Sequence, residues 1–346
     1  MKLPAVIYAI LAALCYGISA PISKILLNGM TPALMASLLY LGAGAGMIAL
    51  NLCRKKQSRG KEAPITKKEL PYVAAMVVLD IAAPIFLMAG LSMTSSAAVS
   101  LLNNFEIVAT SIIALAVFKE AVGKRMWLAI SLITVSSIFL TVEDFGSLTF
   151  SSGSIFVLAA CVCWGFENNC TRALSLKNPM QIVAVKGIGS GLGAFLIAVF
   201  IGGATPNILY ITAALALGFV AYGLSIYFYI LAQRSLGASR TSAFYALAPF
   251  IGVGVSFAIF RETPALSFWP ALAVMVAGAY FAAFEKHEHE HVHLETEHEH
   301  RHNHSDGHHN HTHEPPFNGE HSHAHIHAAV THTHRHTPDL HHSHTH

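Results

Sequence analysis

Ten long apolar runs fill the first 285 residues of this 346-residue chain and constrain its fold more than any other feature. They cover about 4–26, 32–52, 71–91, 97–118, 126–143, 153–173, 180–202, 207–231, 239–260 and 265–285. A helix needs about 20 mostly apolar residues to cross a bilayer. A buried helix of a soluble protein would keep a polar face, which these runs lack. The pattern therefore predicts an all-α integral membrane protein with ten transmembrane helices in a lipid bilayer.

Basic residues set the predicted orientation of these helices. The loop at 53–70 carries seven Lys or Arg residues, and short loops rich in basic residues stay in the cytoplasm. Placing this loop there also places both termini in the cytoplasm, and we expect the protein in the inner cell membrane. The loop has no interleaved aromatic residues, so nothing in it indicates a nucleic-acid partner.

A weak internal repeat divides the apolar region. Residues 14–17 (Leu-Cys-Tyr-Gly) recur as 162–165 (Val-Cys-Trp-Gly), each with a basic residue seven positions further on. Residues 118–120 (Phe-Lys-Glu) recur as 260–262 (Phe-Arg-Glu). Because five crossings is an odd number, the second copy must be inverted in the membrane. Inverted repeats are a common ground plan of secondary transporters, whose solute site lies near the midplane between the repeats.

The repeat predicts three domains. Residues 1–143 and 144–285 are two inverted five-helix repeats, and residues 286–346 are a cytoplasmic tail. The residues before 286 carry 18 basic and 10 acidic side chains, whereas the tail carries 3 basic and 9 acidic ones. The small net charge of the whole chain, +2, is thus a cancellation between unlike parts.

These features resemble the drug/metabolite transporter superfamily, EamA type, over residues 1–285. The resemblance rests on two five-run halves, the aromatic-Gly motif with its basic residue, and the Phe-basic-Glu ends of the fourth and ninth runs. It implies a ten-helix carrier that moves small solutes, often outward, with both termini inside. Members usually carry a proline in the middle of helices four and nine. Pro249 supplies it in the ninth run, but Ile107 stands in its place in the fourth, next to Glu106, so we expect the break there to be lost.

Four charged residues lie well away from the ends of the runs: Asp80, Glu106, Glu167 and Lys186. Each costs at least ~2.5–3.5 kcal/mol at the bilayer centre, so such residues usually mark a pathway or a paired network. Asp80 and Glu106 lie deep with no obvious cationic partner, which favours a cation or proton site, although hydrogen bonding to neighbouring helices is the alternative. Glu167 could pair with Lys186. The polar residues Asn103, Asn104, Tyr222 and Tyr245 complete the candidate site for a solute or coupling ion.

Glycines at four-residue spacing line the second and seventh runs, as in Gly42 to Gly46 and Gly187 to Gly193. Small residues let helix backbones approach closely in membranes. They indicate either packing within one chain, or a dimer face or a moving seam between helices, so a homodimer is among the predicted assemblies.

All 23 histidines lie between His287 and His346. Alternating ones provide the candidate metal ligands: His287, His289, His291, His293, His298, His300, His302, His304, His321, His323, His325, His327, His332, His334 and His336. Imidazole is a common ligand of Zn, Ni, Co and Cu ions, so we expect the tail to bind these metals. Few apolar residues are available to bury, which predicts disorder. A second, weaker metal candidate is the shared helical face of Cys163, Glu167 and Cys170.

Three functions remain open at this point. The first is a secondary transporter, predicted to be an exporter of a small solute linked to the metal ions of the tail. The second is a metabolite or drug exporter whose tail only senses metal. The third is a membrane-anchored metal buffer or sensor that transports nothing. The sequence has no phosphate-binding loop of the GxxxxGK[ST] type, so we expect no nucleotide cofactor for transport and no enzyme activity.

Overall fold

Helices make up nearly all of the apolar region. The computed structural model describes residues 3–53, 65–118, 122–144, 149–172, 174, 177–202, 206–236, 241, 244–261, 264–283, 287–293, 296–302, 321–327 and 330–336. The helices of this part are α1 (Leu3–Gly17), α2 (Ser19–Leu26), α3 (Pro32–Cys53), α4 (Leu70–Met93), α5 (Ser96–Leu102), α6 (Phe105–Phe118), α7 (Lys124–Thr141), α8 (Ser152–Arg172), α9 (Pro179–Ile201), α10 (Ile208–Gly218), α11 (Ser225–Leu236), α12 (Ala248–Phe260) and α13 (Phe268–Ala283). A 3-10 turn at Lys67–Glu69 precedes α4, and a π-helical stretch at Phe219–Leu224 joins α10 to α11.

Within the described residues, seven helical segments are long and apolar enough to cross a membrane. They are Pro4–Leu26, Pro32–Cys53, Lys67–Met93, Ser96–Val117, Lys124–Thr141, Met180–Ile201 and Ile208–Ala232. The three remaining apolar runs of the sequence overlap with α8, α12 and α13. Helices α12 and α13 are shorter, and α8 carries polar side chains near its end. The structure thus shows a nearly all-helical protein with several candidate spans, whereas the count of ten crossings stays a prediction.

The predicted fourth helix is broken in the middle. Helix α5 ends at Leu102 and α6 begins at Phe105, with Asn103 and Asn104 between them. The side chain of Asn104 donates to the Leu101 carbonyl over 3.3 Å. Asparagine side chains compete with the backbone for hydrogen bonds and so weaken a helix locally. The expected loss of the break was therefore wrong, because two asparagines produce it without a proline.

Other interruptions lie in neighbouring helices. Pro21 has no N–H to donate to the carbonyl of Gly17, and the helix is interrupted at Ile18, between α1 and α2. Pro84 lies inside α4 and likewise cannot donate to the carbonyl of Asp80. The π-helical stretch contains Tyr222, and such stretches often occur at functional sites.

The two halves pack against each other helix by helix. Helix α3 packs on α9, α4 on α8, α1 on α11, α5 on α12 and α7 on α13. A short antiparallel pair of strands, β1 (Val142–Asp144) and β2 (Thr149–Phe150), lies between α7 and α8. Large apolar side chains such as Phe200 and Leu266 are 89% and 90% exposed. Such exposure suits a surface that faces lipid rather than water.

The glycine stripes form the crossing of α3 and α9. A Cβ atom added to Gly44 would lie 2.7 Å from the backbone nitrogen of Ile188. One added to Gly191 would lie 2.7 Å from Leu41, and Ser37 Oγ donates to the Gly191 carbonyl over 2.8 Å. These stripes therefore pack against each other within one chain.

Four strands occur in the described segments of the histidine-rich tail. They are β3 (His287–His293), β4 (Thr296–His302), β5 (His321–His327) and β6 (Val330–His336). Strand β3 pairs with β6 and β4 with β5, both antiparallel. The predicted disorder is therefore not confirmed for these segments: alternation with a period of two matches the periodicity of a strand. His304 lies outside the described residues.

Candidate functional site

A buried ion network joins three helices near the centre of the structure. The ammonium of Lys186 on α9 lies 3.0 Å from Asp80 Oδ2 on α4 and 3.0 Å from Glu167 Oε1 on α8. The Asp80 and Glu167 side chains are 0% and 2% exposed. Lys186 thus pairs with Glu167, as the sequence allowed. It also provides the cationic partner that the sequence analysis did not find for Asp80.

Hydrogen bonds fix each carboxylate of this network. The hydroxyl of Tyr40 on α3 donates to Asp80 Oδ1 over 2.9 Å, and Trp164 Nε1 lies 3.4 Å from the same hydroxyl. Thr171 Oγ1 donates to Glu167 Oε1. Removing one partner of a buried ion pair costs about 3–5 kcal/mol in soluble proteins, because the other charge is left uncompensated. The Lys186 ammonium therefore stabilises two carboxylates at once.

Glu106 belongs to a different set of contacts. It lies in the first turn of α6, next to the break in the fourth helix. Asn168 Nδ2 on α8 donates to Glu106 Oε1 over 2.7 Å and lies 3.2 Å from Thr110 Oγ1. Direct contacts in the described residues thus bind Asp80 to an ammonium and Glu106 to an amide. Sequence reasoning missed Asn168, although the polar triplet 167–169 in an apolar run was a usable signal.

A narrow cavity lies where the interruption between α1 and α2 meets the break between α5 and α6. It is lined by Tyr16, Gly17, Ser19, Ala20, Leu87, Ser100, Asn103, Tyr222, Ala248 and Pro249. Asn103 marks the break between α5 and α6, and Pro249 lies in the first turn of α12. Within the described part of the chain, Ser100 Oγ and Asn103 Oδ1 are buried without a hydrogen-bond partner. Buried polar atoms are normally paired, so these two atoms give the cavity an unusual polar lining.

Tyrosine rings connect this cavity to the ion network. Tyr222 lies with its ring centre 5.9 Å from that of Tyr16 and 5.4 Å from that of Tyr40. Ser19 Oγ lies 3.4 Å from the Tyr222 hydroxyl. Tyr245 lies 5.9 Å from Tyr16, ring centre to ring centre, but does not line the cavity. Of the two tyrosines that the sequence selected, Tyr222 thus lies between the cavity and the network.

The side chain of Asn104 is hydrogen-bonded to the backbone and does not border the cavity. Its side chain is 2% exposed and is bonded to the backbone of Leu101. Its neighbour Asn103 is the one that borders the cavity. The two asparagines of the break therefore differ: one stabilises the turn and the other faces the open space.

The face of α8 that carries Cys163, Glu167 and Cys170 was a second candidate metal site, but its carboxylate contacts other side chains. Glu167 bonds to Lys186 and Thr171. Among the residues that the structure describes, no group of three or more His, Cys, Asp or Glu side chains is arranged to hold a metal ion. The lysine in contact with Glu167 is a further reason not to assign a cation to this face.

Comparisons with known proteins agree on the class of molecule. The model of the EamA-like transporter family matches residues 3–142 and 151–284. A curated relative, described as an uncharacterized transporter from Methanothermobacter thermautotrophicus, is 26% identical over 290 residues. The match covers 78% of this chain and 83% of that protein. A solved crystal structure aligns with a TM-score of 0.58 at 17% identity and covers 80% of this chain and 95% of its own. That structure shows likeness of fold alone.

Proposed function

Because this chain belongs to the EamA-like transporter family, we propose that it is a secondary carrier that moves a small solute out of the cell. The observation that supports this most is the narrow cavity at the meeting point of the broken helices. It holds unpartnered polar atoms and lies beside a buried ion network. Broken helices around a central site are typical of such carriers, because the freed backbone and polar side chains can bind solute or ion.

The proposed architecture is ten crossings in two inverted five-helix repeats, residues 1–143 and 144–285. The family model matches two successive stretches of the chain, which supports a duplicated unit. The packing partners also support it, since α1 with α11 and α4 with α8 are the pairs that a two-fold exchange of repeats would interchange. This proposed arrangement places both termini in the cytoplasm and the protein in the inner cell membrane. We propose no dimer through the glycine stripes, because they are used within the chain.

The proposed solute pathway runs from the cavity toward Lys186. Ser100, Asn103 and Tyr222 bind the solute by hydrogen bonds, and Asp80, Glu106, Glu167 and Lys186 set the charge around it. Asn104 and Tyr245 hold the surrounding helices. An ion gradient or the gradient of the solute drives transport, with no nucleotide cofactor and no chemical conversion.

The tail is proposed to bind Zn, Ni, Co or Cu ions and to modulate the carrier. Backbone register supports this proposal. His287, His289 and His291 of β3 stand opposite histidines of β6, and His298, His300 and His302 of β4 stand opposite histidines of β5. Four ligands suffice for a tetrahedral site, so two successive cross-strand pairs supply one site. A carrier whose tail merely senses metal, and a membrane-anchored metal buffer, are the alternatives.

Transport in proteoliposomes distinguishes these functions. The purified full chain is reconstituted and assayed with a panel of divalent metals and small metabolites, alongside a variant that lacks residues 286–346. A carrier gives flux of at least one solute with both proteins, and a metal exporter gives metal flux. Metal binding without flux of any compound in the panel favours the buffer.

A further inference from the structure

The ion network of Asp80, Glu167 and Lys186 buries one more negative than positive charge when all three groups are ionised. Two carboxylates share one ammonium at 3.0 Å each. All three side chains are at most 13% exposed, so water compensates the excess charge poorly. An uncompensated charge inside a membrane protein is costly and usually draws in a proton or another cation.

Among the described side chains in and around the network, Lys186 is the one cation. Facing the network are Tyr40 of α3, Glu106 of α6, Cys163 and Thr171 of α8, and Tyr222 of the π-helical stretch. None of these side chains carries a positive charge, and Glu106 adds to the acidity. The missing positive charge must therefore come from outside the network.

We propose that Asp80 and Glu167 form a proton-binding site in which the proton is held on the Asp80 carboxyl group. This inference rests on the proposed carrier function and names its coupling ion. Oδ1 of Asp80 accepts the Tyr40 hydroxyl, and Oδ2 contacts the one ammonium that Asp80 shares with Glu167. Glu167 holds its charge better, because Lys186 and Thr171 both contact its Oε1.

Proton uptake changes the bond between the two halves. A proton from water forms an O–H bond with the Asp80 carboxyl group, and the net charge of the network rises from −1 to zero. The Asp80–Lys186 attraction, which links α4 of the first half to α9 of the second, is then weakened. The Glu167–Lys186 pair lies within the second half and persists. Pro84 already removes one backbone hydrogen bond at the Asp80 carbonyl, so the backbone of α4 is locally weakened beside the network.

The experiment follows the protonated carboxyl band by infrared difference spectroscopy. Full-length protein in liposomes, without any solute, is titrated from about pH 9 to about pH 5. The comparison includes Asp80→Asn, Glu167→Gln, Lys186→Met and the control Glu69→Gln, which changes a carboxylate on the turn before α4. Size-exclusion profiles show whether each variant is folded. If Asp80→Asn does not fold, the shift expected for Glu167→Gln still tests the proposal.

The expected result is a carboxyl band that appears as the pH falls in wild type and in Glu69→Gln. Asp80→Asn removes the band. Glu167→Gln moves it to lower pH, since the remaining pair is neutral, and Lys186→Met moves it to higher pH. A wild-type protein without such a band, or a band that none of the three network variants changes, overturns the proposal. Because no solute is present, this outcome is independent of whether the carrier function itself is correct.

Discussion

Asp80 and Glu106 look alike in the sequence, yet the structure gives them different partners. Both are carboxylates in the middle of apolar runs, although Asp80 is fully buried and Glu106 is half-buried. Asp80 contacts the Lys186 ammonium at 3.0 Å, whereas Glu106 accepts an amide hydrogen bond from Asn168 at 2.7 Å. Depth along a helix therefore predicts the cost of a buried charge, but it does not predict which group offsets that cost. Compensation depends on which face each neighbouring helix presents.

The largest effect is expected from removing the shared cation. Lys186→Met leaves two carboxylates without their ammonium, so we expect a loss of about 3–5 kcal/mol in the free energy of unfolding. Flux through the proposed pathway is lost as well. Unfolding in mild detergent, followed by tryptophan fluorescence, measures the stability.

Lys177→Met is the matched control. Lys177 lies 3.5 Å from Glu69 in a partly exposed pair at the helix ends, which is worth less than about 1 kcal/mol. Equal destabilisation by the two lysine variants would show that the buried network has no special role.

The next effect concerns the crossing that brings Lys186 into place. A Cβ atom at the neighbouring Gly187 would lie 2.7 Å from the Tyr40 carbonyl oxygen. Backbone atoms cannot move aside easily, so Gly187→Ala should separate α9 from α3 and cost about 1–3 kcal/mol. Gly254→Ala, where a Cβ atom meets nothing within 4 Å, should be neutral or slightly stabilising in a helix. A Gly187→Ala protein as stable as Gly254→Ala would contradict the packing.

A smaller effect is expected from Glu106→Gln. The glutamine carbonyl still accepts from Asn168, so the free energy of unfolding should change by less than about 1 kcal/mol. The apparent affinity for a cationic solute should fall, whereas the pH dependence of flux should remain, because the proton is held by Asp80. Thermal unfolding and flux at several pH values check both points. Loss of the pH dependence of flux in Glu106→Gln would contradict the proposed difference in role between Asp80 and Glu106.

The smallest effect on the helical region is expected from deleting residues 286–346. The apolar core should keep its stability within about 0.5 kcal/mol, since the tail adds little apolar surface to bury. Zinc binding by the full chain should weaken as pH falls, because protonated imidazole cannot bind metal. Isothermal titration with Zn²⁺ at neutral and mildly acidic pH, with and without the tail, measures this. Unchanged zinc binding after deletion would exclude the tail as the metal site.

The helical character and the approximate limits of most helices could be predicted from the sequence. Apolar runs determine them directly, because each run must satisfy its backbone within the membrane. The break at Asn103 was missed, since the expectation looked for proline and overlooked the competition of asparagine side chains with the helix.

The site was predictable in its residues but not in its contacts. Asp80, Glu167 and Lys186 were all recognisable as costly charges. Their meeting depends on the close approach of α3 and α9 and on the rotation of α4, which no local pattern encodes. The same limit explains why Ser100 was missed: a serine in an apolar run is ordinary until its hydroxyl is found without a partner.

The most direct test of the account is the effect of a pH gradient on flux in proteoliposomes. The solute with the highest flux in the panel is loaded, and its initial rate of exit is measured with and without an imposed gradient for wild type and Asp80→Asn. The account predicts that the gradient changes the wild-type rate severalfold and leaves Asp80→Asn unaffected. An equal response of both proteins to the gradient would contradict it.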